Sequence, residues 1–266
     1  MRRRFLLATG LASILTTHAT TASAATATTA ARLRIGLSPG NAPFTDVASD
    51  GRPVGFEVGL AQALCERLGV PFTPVLLDFD GLIPALQSRK IDAIMASMAV
   101  TSERQRVIAF STPYYYSPSR LVARHGSKLT VSPAGLSAKR IGVERGTVHE
   151  RFLAEVFKDS QVARYATLDQ AFLDLKSGRL DALLADAVAA DFGFLRKPEG
   201  HDFEFIGPEF RDERYFGQGM AVGMRQADAA NLGRRVNQAI AALRANGTLK
   251  ALNDRHFSLD LISPPH

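Results

Sequence analysis

A chain of 266 residues, 22% charged and 46% hydrophobic, is long enough for one large domain or two medium ones, each with its own core. Its formal charge of +6 includes Arg2, Arg3 and Arg4 near the N-terminus, and the remaining charge is spread thinly, which argues against a nucleic-acid partner. Beyond the N-terminal segment no run of about 18 apolar residues occurs, so no membrane-spanning helix is predicted.

The opening "MRRRFLLATGLASILTTHATTASA" has a basic start, an apolar middle and small residues at Ala22-Ser23-Ala24. It reads as an export signal peptide over residues 1–24, followed by a flexible leader at 25–31. Arg2-Arg3 followed by Phe5-Leu6 fits a twin-arginine signal and a basic Sec signal equally. Cys65, the single cysteine, lies in a helical apolar pattern and reads as a packed small hydrophobe. One thiol makes no internal disulfide, and none stands beside the cleavage signal to carry a lipid. The expectation is a soluble protein of an exported compartment, the periplasm.

Leu33, Ile35 and Leu37 alternate as in a strand. Phe56, Leu60, Ala63, Leu64 and Leu68 then share one helical face, with Gly69 as the C-terminal cap. "PFTPVLL" reads as a strand. Phe79, Leu82, Ile83 and Leu86 return to helical spacing, with Pro84 tolerable in a first turn. "IDAIMA" is too short for a helix and reads as a buried strand. Strands alternating with helices predict βαβ units and parallel pairing.

The plan repeats. "KIDAIMA" at 90–96 and "RLDALLA" at 179–185 share a basic residue, an aliphatic, Asp, Ala, two apolar residues and Ala, and each follows an amphipathic helix. Two similar α/β lobes are inferred, with Asp92 and Asp181 as structural residues. The second lobe reads as strand "RIGVE", a helix from Thr147, a strand near "VARYA", helix "LDQAFLDLKSG", strand "LDALLA" and a helix from Asp186. Crossings between lobes are expected near Ser117–Ser119 and Gly217–Gly219. Terminal helices follow, from Gln226 to Ala245 and from Thr248 to His256, parted by the stop signal Asn246-Gly247. If they return to the first lobe, two crossings form a hinge.

Ligands of open α/β sheets settle beyond the carboxyl ends of strands, near helix N-termini whose free N–H groups attract anions. "ASMAVTSERQR" meets that description: a strand ends, Thr101 or Ser102 caps a helix, and Arg104 falls in its first turn. The helix dipole disfavours a cation there, so an anionic partner explains Arg104, and the guanidinium fork suits a carboxylate. A solvated arginine is the alternative. At the second helix start, a backbone N–H of Thr147 or Val148 offers a further donor. Asp186 occupies in the second lobe the place of Ser97 in the first; it reads as a helix cap or, opposite Arg104, as the other half of a zwitterion site.

The chain resembles the type 3 periplasmic solute-binding proteins, most of all the lysine/arginine/ornithine- and histidine-binding branch. The matching runs include "NAPF", "GRPVGFEVGLAQALCERL", "FDGLIPALQSRKIDAIMASMAVTSERQRVIAFSTPYY", "RIGVERGT", "GRLDALLADAVAA", "YFGQGMAVGMR" and "ALRANGTLKALNDRHF". The resemblance implies an α/β, two-lobe periplasmic binding protein-like fold of type II, each lobe a mixed, mostly parallel sheet flanked by helices, joined by a two-strand hinge. It implies lobe boundaries at 32–117, 118–217 and 218–266, the last returning to the first lobe. It implies a monomer that captures a polar, cationic amino acid and delivers it to the permease and ATPase of an ABC importer. No cofactor, metal or nucleic acid is implied. The resemblance assigns the ligand's α-carboxylate to Arg104 and the N–H groups near Thr147 and Val148. The α-ammonium goes to Asp186 with the Ser97 carbonyl. Phe79 lies against the ligand side chain, although its spacing equally fits a core residue.

Several positions depart from that pattern. Ala99 stands where the family carries Ser or Thr, a loss worth about 0.5–1.5 kcal/mol if one hydrogen bond goes with it. Asn41 replaces an aromatic wall residue. Ser38 replaces an acid of the basic-ligand branch, while Glu144 replaces an apolar pocket residue. Glu144 either serves a distal cation or pairs with neighbouring Arg145. His149, near the second helix start, reads as a polar wall residue. Opine or amine ligands and a sensor role remain alternatives. So does a cyclohexadienyl dehydratase-like enzyme, which needs an added acid where this chain has Ala189.

Overall fold

The computed structural model describes residues 32–264; the predicted signal peptide, the leader and the C-terminal His266 lie outside the described residues. The first part of the chain carries strands Leu33–Leu37 (β1), Asp46–Val47 (β2) and Pro53–Val54 (β3), then helix Phe56–Leu68 (α1) and strand Phe72–Leu76 (β4). Helix Leu82–Gln87 (α2), strand Ala93–Ile94 (β5), the single helical turn Ser102–Gln105 (α3) and strand Ala109–Phe110 (β6) complete it. The middle contains Ser119–Arg124 (β7), Arg140–Glu144 (β8), Val148–Val156 (α4), Gln161–Tyr165 (β9), Leu168–Lys176 (α5) and Ala182–Asp186 (β10). Ala187–Ala190 (α6), Phe203–Phe210 (β11) and Glu213–Phe216 (α7) follow, before Gly223–Met224 (β12), Arg234–Ala245 (α8) and Thr248–His256 (α9).

Two five-stranded mixed sheets result, ordered β4-β1-β5-β12-β6 and β11-β7-β10-β8-β9. In each, the three strands of the βαβ units run parallel. The strand arriving from the other sheet, β12 or β7, and its outer neighbour pair antiparallel. The parallel triplets come from helix-linked crossovers, and the antiparallel pairs arise where the chain re-enters a sheet.

The repeat seen in the sequence has a physical counterpart. Asp92 accepts the backbone N–H of Arg34 at 3.1 Å and its guanidinium at 2.8 and 2.9 Å. Asp181 accepts the backbone N–H of Arg140 at 2.7 Å and its Nε–H at 3.4 Å. Each aspartate therefore ties the strand it introduces to the first parallel strand of its own sheet.

The chain passes between the sheets at residues 111–118 and 211–222, and the passages lie side by side. The Met220 N–H donates to the Tyr115 carbonyl and the Tyr114 N–H to the Met220 carbonyl, both at 2.9 Å. Beyond α9, Phe257 packs on Phe44 and Phe56 with ring centres 5.2 and 5.3 Å apart, so the terminal helices do return to the first sheet. One expectation needs correcting. Residues 226–233 form a 3₁₀ turn and a wide π-type turn, and α-geometry begins only at Arg234. Gly233, with little intrinsic helix preference, is packed there against the Met224 sulfur.

Gly55 sets the start of α1. Its φ is 123°, and a Cβ there would stand 2.4 Å from the Phe44 carbonyl oxygen. Gly55→Ala is expected to destabilise by about 2–4 kcal/mol through combined backbone strain and overlap, read as a lowered denaturant midpoint at unchanged m-value.

Candidate functional site

A cleft lies between the two sheets and is lined by residues of both, among them Phe79 and Arg104 from one side and Glu144 and Asp186 from the other. The elements on its two sides already touch. Arg145 Nε is 2.6 Å from Asp80 Oδ2, Arg151 Nη1 is 2.6 Å from Glu103 Oε2, and a Cβ on Gly146 would stand 2.8 Å from that of Asp80. The lobes are in a closed arrangement.

On the first side, β5 ends into Ser97, and Thr101 caps α3 by accepting the Arg104 N–H at 3.2 Å. That cap holds Arg104 in the first turn, 9% exposed, with its guanidinium 5.2 Å from the centre of the Phe79 ring. Its side-chain acceptors are both main-chain carbonyls: Ala99 at 3.1 Å from Nη1 and Gly146, across the cleft, at 3.4 Å from Nη2. Burial brings the guanidinium down to about 10, so it stays a cation at neutral pH without a carboxylate of its own.

On the facing side, Thr147 caps α4, accepting the Glu150 N–H at 3.4 Å and donating to the Glu144 carbonyl at 2.7 Å. Val148 is the first residue of that helix, where backbone N–H groups are free of intrahelical partners. His149 Nε2 lies 2.8 Å from Ser119 Oγ; burial, then Arg104, lowers the imidazole to about 3, so it is neutral. Asp186 ends β10 and caps α6: its Oδ1 accepts from Val188 N–H at 2.9 Å, Ala189 N–H at 3.0 Å and Ser117 Oγ at 2.9 Å. Its Oδ2 is buried without a partner, and burial outweighs those bonds to raise the acid to about 6. The Oε1 of Glu144, a residue 6% exposed, is likewise unpartnered. Burial, then Asp78, Asp80 and Asp169, raises that acid to about 8.

Asn41, Phe79, Ser97, Ala99, Arg104, Glu144, Thr147, Val148, His149 and Asp186 all line the cleft. Ser38 is outside that lining, buried with an unpartnered hydroxyl. The suggested pairing of Glu144 with Arg145 is corrected: Arg145 reaches Asp80 and Asp78 instead. Ala96, Ser117, Ser119, Leu168, Phe216 and Met220 also contribute and were not singled out from the sequence. For Phe216 and Met220 a signal existed, because "YFGQGM" lies at the expected return crossing.

A further missed residue is Glu57, fully buried one position into α1. Its carboxyl accepts the Ser97 N–H at 2.6 Å and the Tyr114 hydroxyl, with Ser97 Oγ at 3.3 Å. Ser97 has φ of 52°, a left-handed conformation costing a non-glycine residue about 1–2 kcal/mol, and these bonds hold it there. Asn41 Nδ2 donates to Ser97 Oγ at 3.1 Å, completing the support. Burial raises the Glu57 acid to about 7 against these hydrogen bonds.

A buried guanidinium on one wall and an unpartnered carboxyl oxygen on the other can hold opposite poles of a small zwitterion. Residues 33–259 match the bacterial extracellular solute-binding proteins, family 3. The chain belongs to this family. It is 41% identical over 231 residues to an L-arginine-binding protein of Pseudomonas aeruginosa, covering 86% of this chain and 89% of the relative. It is 39% identical over 253 residues to a lysine/arginine/ornithine-binding periplasmic protein of Escherichia coli, covering 94% and 97%. Among solved structures, a Salmonella typhimurium periplasmic binding protein described for its high arginine specificity aligns with a TM-score of 0.79 at 30% identity, covering 86% of this chain and all of that one. As a family 3 member the chain is an extracytoplasmic solute-binding protein. Among its described residues no helix is long and apolar enough to cross a membrane, and no His, Cys, Asp and Glu cluster is arranged for a metal ion.

Proposed function

We propose that this protein is an import receptor for a cationic L-α-amino acid, arginine foremost, which it encloses between lobes bounded at 32–117, 118–217 and 218–266 and passes to an ABC transporter. The observation that carries the reading is the confrontation of Arg104 with Asp186 in one enclosed cleft. Arg104 and the N–H groups near Thr147 and Val148 take the α-carboxylate, and Asp186 takes the α-ammonium. Phe79 flanks the ligand. The cationic class is supported by the names of the relatives and by a second unpartnered acid, Glu144, in the same cavity. The receptor acts as a monomer and without a cofactor, binding its ligand rather than transforming it. Each lobe alone offers half of the site, so only the closed form satisfies both ends of the ligand.

A thermal-shift screen of L-amino acids, opines and agmatine tests this. Ligand at about 100 times its Kd adds about 2.7 kcal/mol, a rise of roughly 5–10 °C for a protein of this size. Arginine, lysine or ornithine should produce it. Agmatine, which keeps the guanidinium but lacks the α-carboxylate, should not. An agmatine response equal to that of arginine, or silence from every L-α-amino acid, overturns the proposal.

A further inference from the structure

The charges on the cleft wall leave one group over. Arg104 is the only cationic side chain among the lining residues, His149 being neutral, whereas Asp186 and Glu144 both contribute carboxyl groups. The α-carboxylate and α-ammonium of an amino acid match Arg104 and Asp186 and leave Glu144 without a counterpart. Building on the receptor reading above, we infer that Glu144 is the subsite for the ligand's side-chain cation, and that arrival of this cation drives one proton from the Glu144 carboxyl into solvent.

The surroundings of Glu144 support both halves of this statement. It closes β8 at the cavity wall, and Oε1 has no hydrogen-bond donor. The one adjacent cation, Arg145, is turned across the cleft to Asp80 at 2.6 Å and Asp78 at 3.2 Å. On β9, Tyr165 stands opposite in register, but its hydroxyl is committed to Asp174 at 2.8 Å. From α5 the neighbour that acts on Glu144 is Asp169, and the hydroxyl of Thr147 bonds the Glu144 main-chain oxygen. Arg104 and His149 share the cavity, the former directed at two carbonyls and the latter uncharged.

In the closed arrangement Glu144 is thus a desolvated acid pressed by Asp78, Asp80 and Asp169, with its value at about 8, and with no cation beside it there it holds its proton at neutral pH. A guanidinium or ammonium within about 4–6 Å reverses that balance, because an opposite charge favours the ionised form. The carboxyl O–H bond breaks, the proton leaves to buffer, and the carboxylate accepts hydrogen bonds from the cation. A neutral side chain triggers none of this. The acid that the family resemblance leads one to expect at Ser38 is therefore replaced by one on the other lobe, and side-chain recognition becomes part of closure.

The decisive comparison is arginine against citrulline, equal in length but neutral at the tip, by titration calorimetry from about pH 6 to about pH 9 in two buffers of different ionisation enthalpy. Arginine should release close to one proton more than citrulline at neutral pH. Its affinity relative to citrulline should climb by up to about tenfold per pH unit and level off above about pH 8. In Glu144→Gln the extra proton and the slope should vanish, with arginine weakened at least about 30-fold and citrulline changed by less than about threefold. Glu144→Asp should recover part of the preference. Retained citrulline binding in Glu144→Gln shows the fold and the α-group contacts intact. Equal proton release and parallel pH profiles for the two ligands in the unaltered protein, or an undiminished arginine preference in Glu144→Gln, overturn this inference and leave the receptor reading standing. Failure of both ligands to bind the unaltered protein overturns the two together.

Discussion

Arg104→Met is expected to weaken arginine binding by about 100- to 1,000-fold while leaving the ligand-free protein as stable as before, or more so. The size follows from removing one partner of a desolvated, hydrogen-bonded charge pair, which costs about 2–5 kcal/mol in binding. The unusual half of the expectation concerns the free state. Arg104 is buried, the hydrogen bonds of its guanidinium go to the Ala99 and Gly146 carbonyls, and Glu103, the acid that acts on it, is engaged with Arg151 at 2.6 Å. A buried cation without an anion is a burden on the fold, and a methionine of similar length removes it. The backbone of α3 does not depend on the guanidinium, since the Thr101 cap takes the N–H of residue 104 whatever its side chain. Calorimetry for affinity and thermal unfolding without ligand for stability check the two halves together. A residue needed only for folding would lose both. Lost affinity with a lowered ligand-free midpoint would mean that Arg104 holds the cleft together rather than serving its contents.

That burden explains why Arg104 stood out in the sequence. A cation in the first turn of a helix opposes the dipole, and a local conflict of this kind marks a functional position. Asp186 was legible for a related reason: it ends a strand and starts a helix, where a carboxylate has a structural use, and its place in the repeat put it opposite Ser97. The repeat itself was readable because each "DA" follows a helix and begins a strand, and the Arg34–Asp92 and Arg140–Asp181 pairs supply the reason. Other parts of the site depend on distances that no local pattern encodes. Ser117, Ser119, Phe216 and Met220 reach the cavity because two chain crossings run side by side. Glu57 sits among apolar neighbours on α1, and its partner Ser97 is 40 residues away, so its support of a left-handed backbone appears only once both are packed. The choice Glu144 makes between Arg145 and the cavity was open in the sequence because it turns on Asp78 and Asp80 of the other lobe. The wide turn ahead of α8 escaped notice because the apolar spacing from Gln226 onward is compatible with a continuous helix.

Asp186→Asn is expected to weaken binding of any L-α-amino acid by about 30- to 300-fold and to abolish a pH dependence that the unaltered protein shows. Asparagine keeps an oxygen in the position of Oδ1, so the cap on α6 and the bond from Ser117 survive, and at neutral pH the variant should be at least as stable as the unaltered protein. What disappears is the negative charge at the unpartnered Oδ2. In the closed cleft burial lifts this acid from its ordinary 3.8 to about 6, so this arrangement is favoured below pH about 4 relative to neutral pH, and the disadvantage grows as pH rises between these values. An α-ammonium reverses the shift by favouring the carboxylate. Binding must then release a proton whenever Asp186 begins protonated, and affinity falls as pH drops through about 6. Citrulline is the ligand for this measurement, because its neutral tip leaves the Glu144 proton out of the balance. Its affinity should be level from about pH 7 to about pH 8 and decline by up to tenfold per unit below about pH 6 in the unaltered protein, whereas Asp186→Asn should be weak and flat across the range. Equal slopes in the two proteins would assign the protonation to another group and remove Asp186 as the ammonium's partner. Under the proposed function, this acid and Arg104 would divide recognition between the lobes, the first supplying the positive pole and the second the negative one, so that neither lobe alone would hold the ligand before the cleft closes.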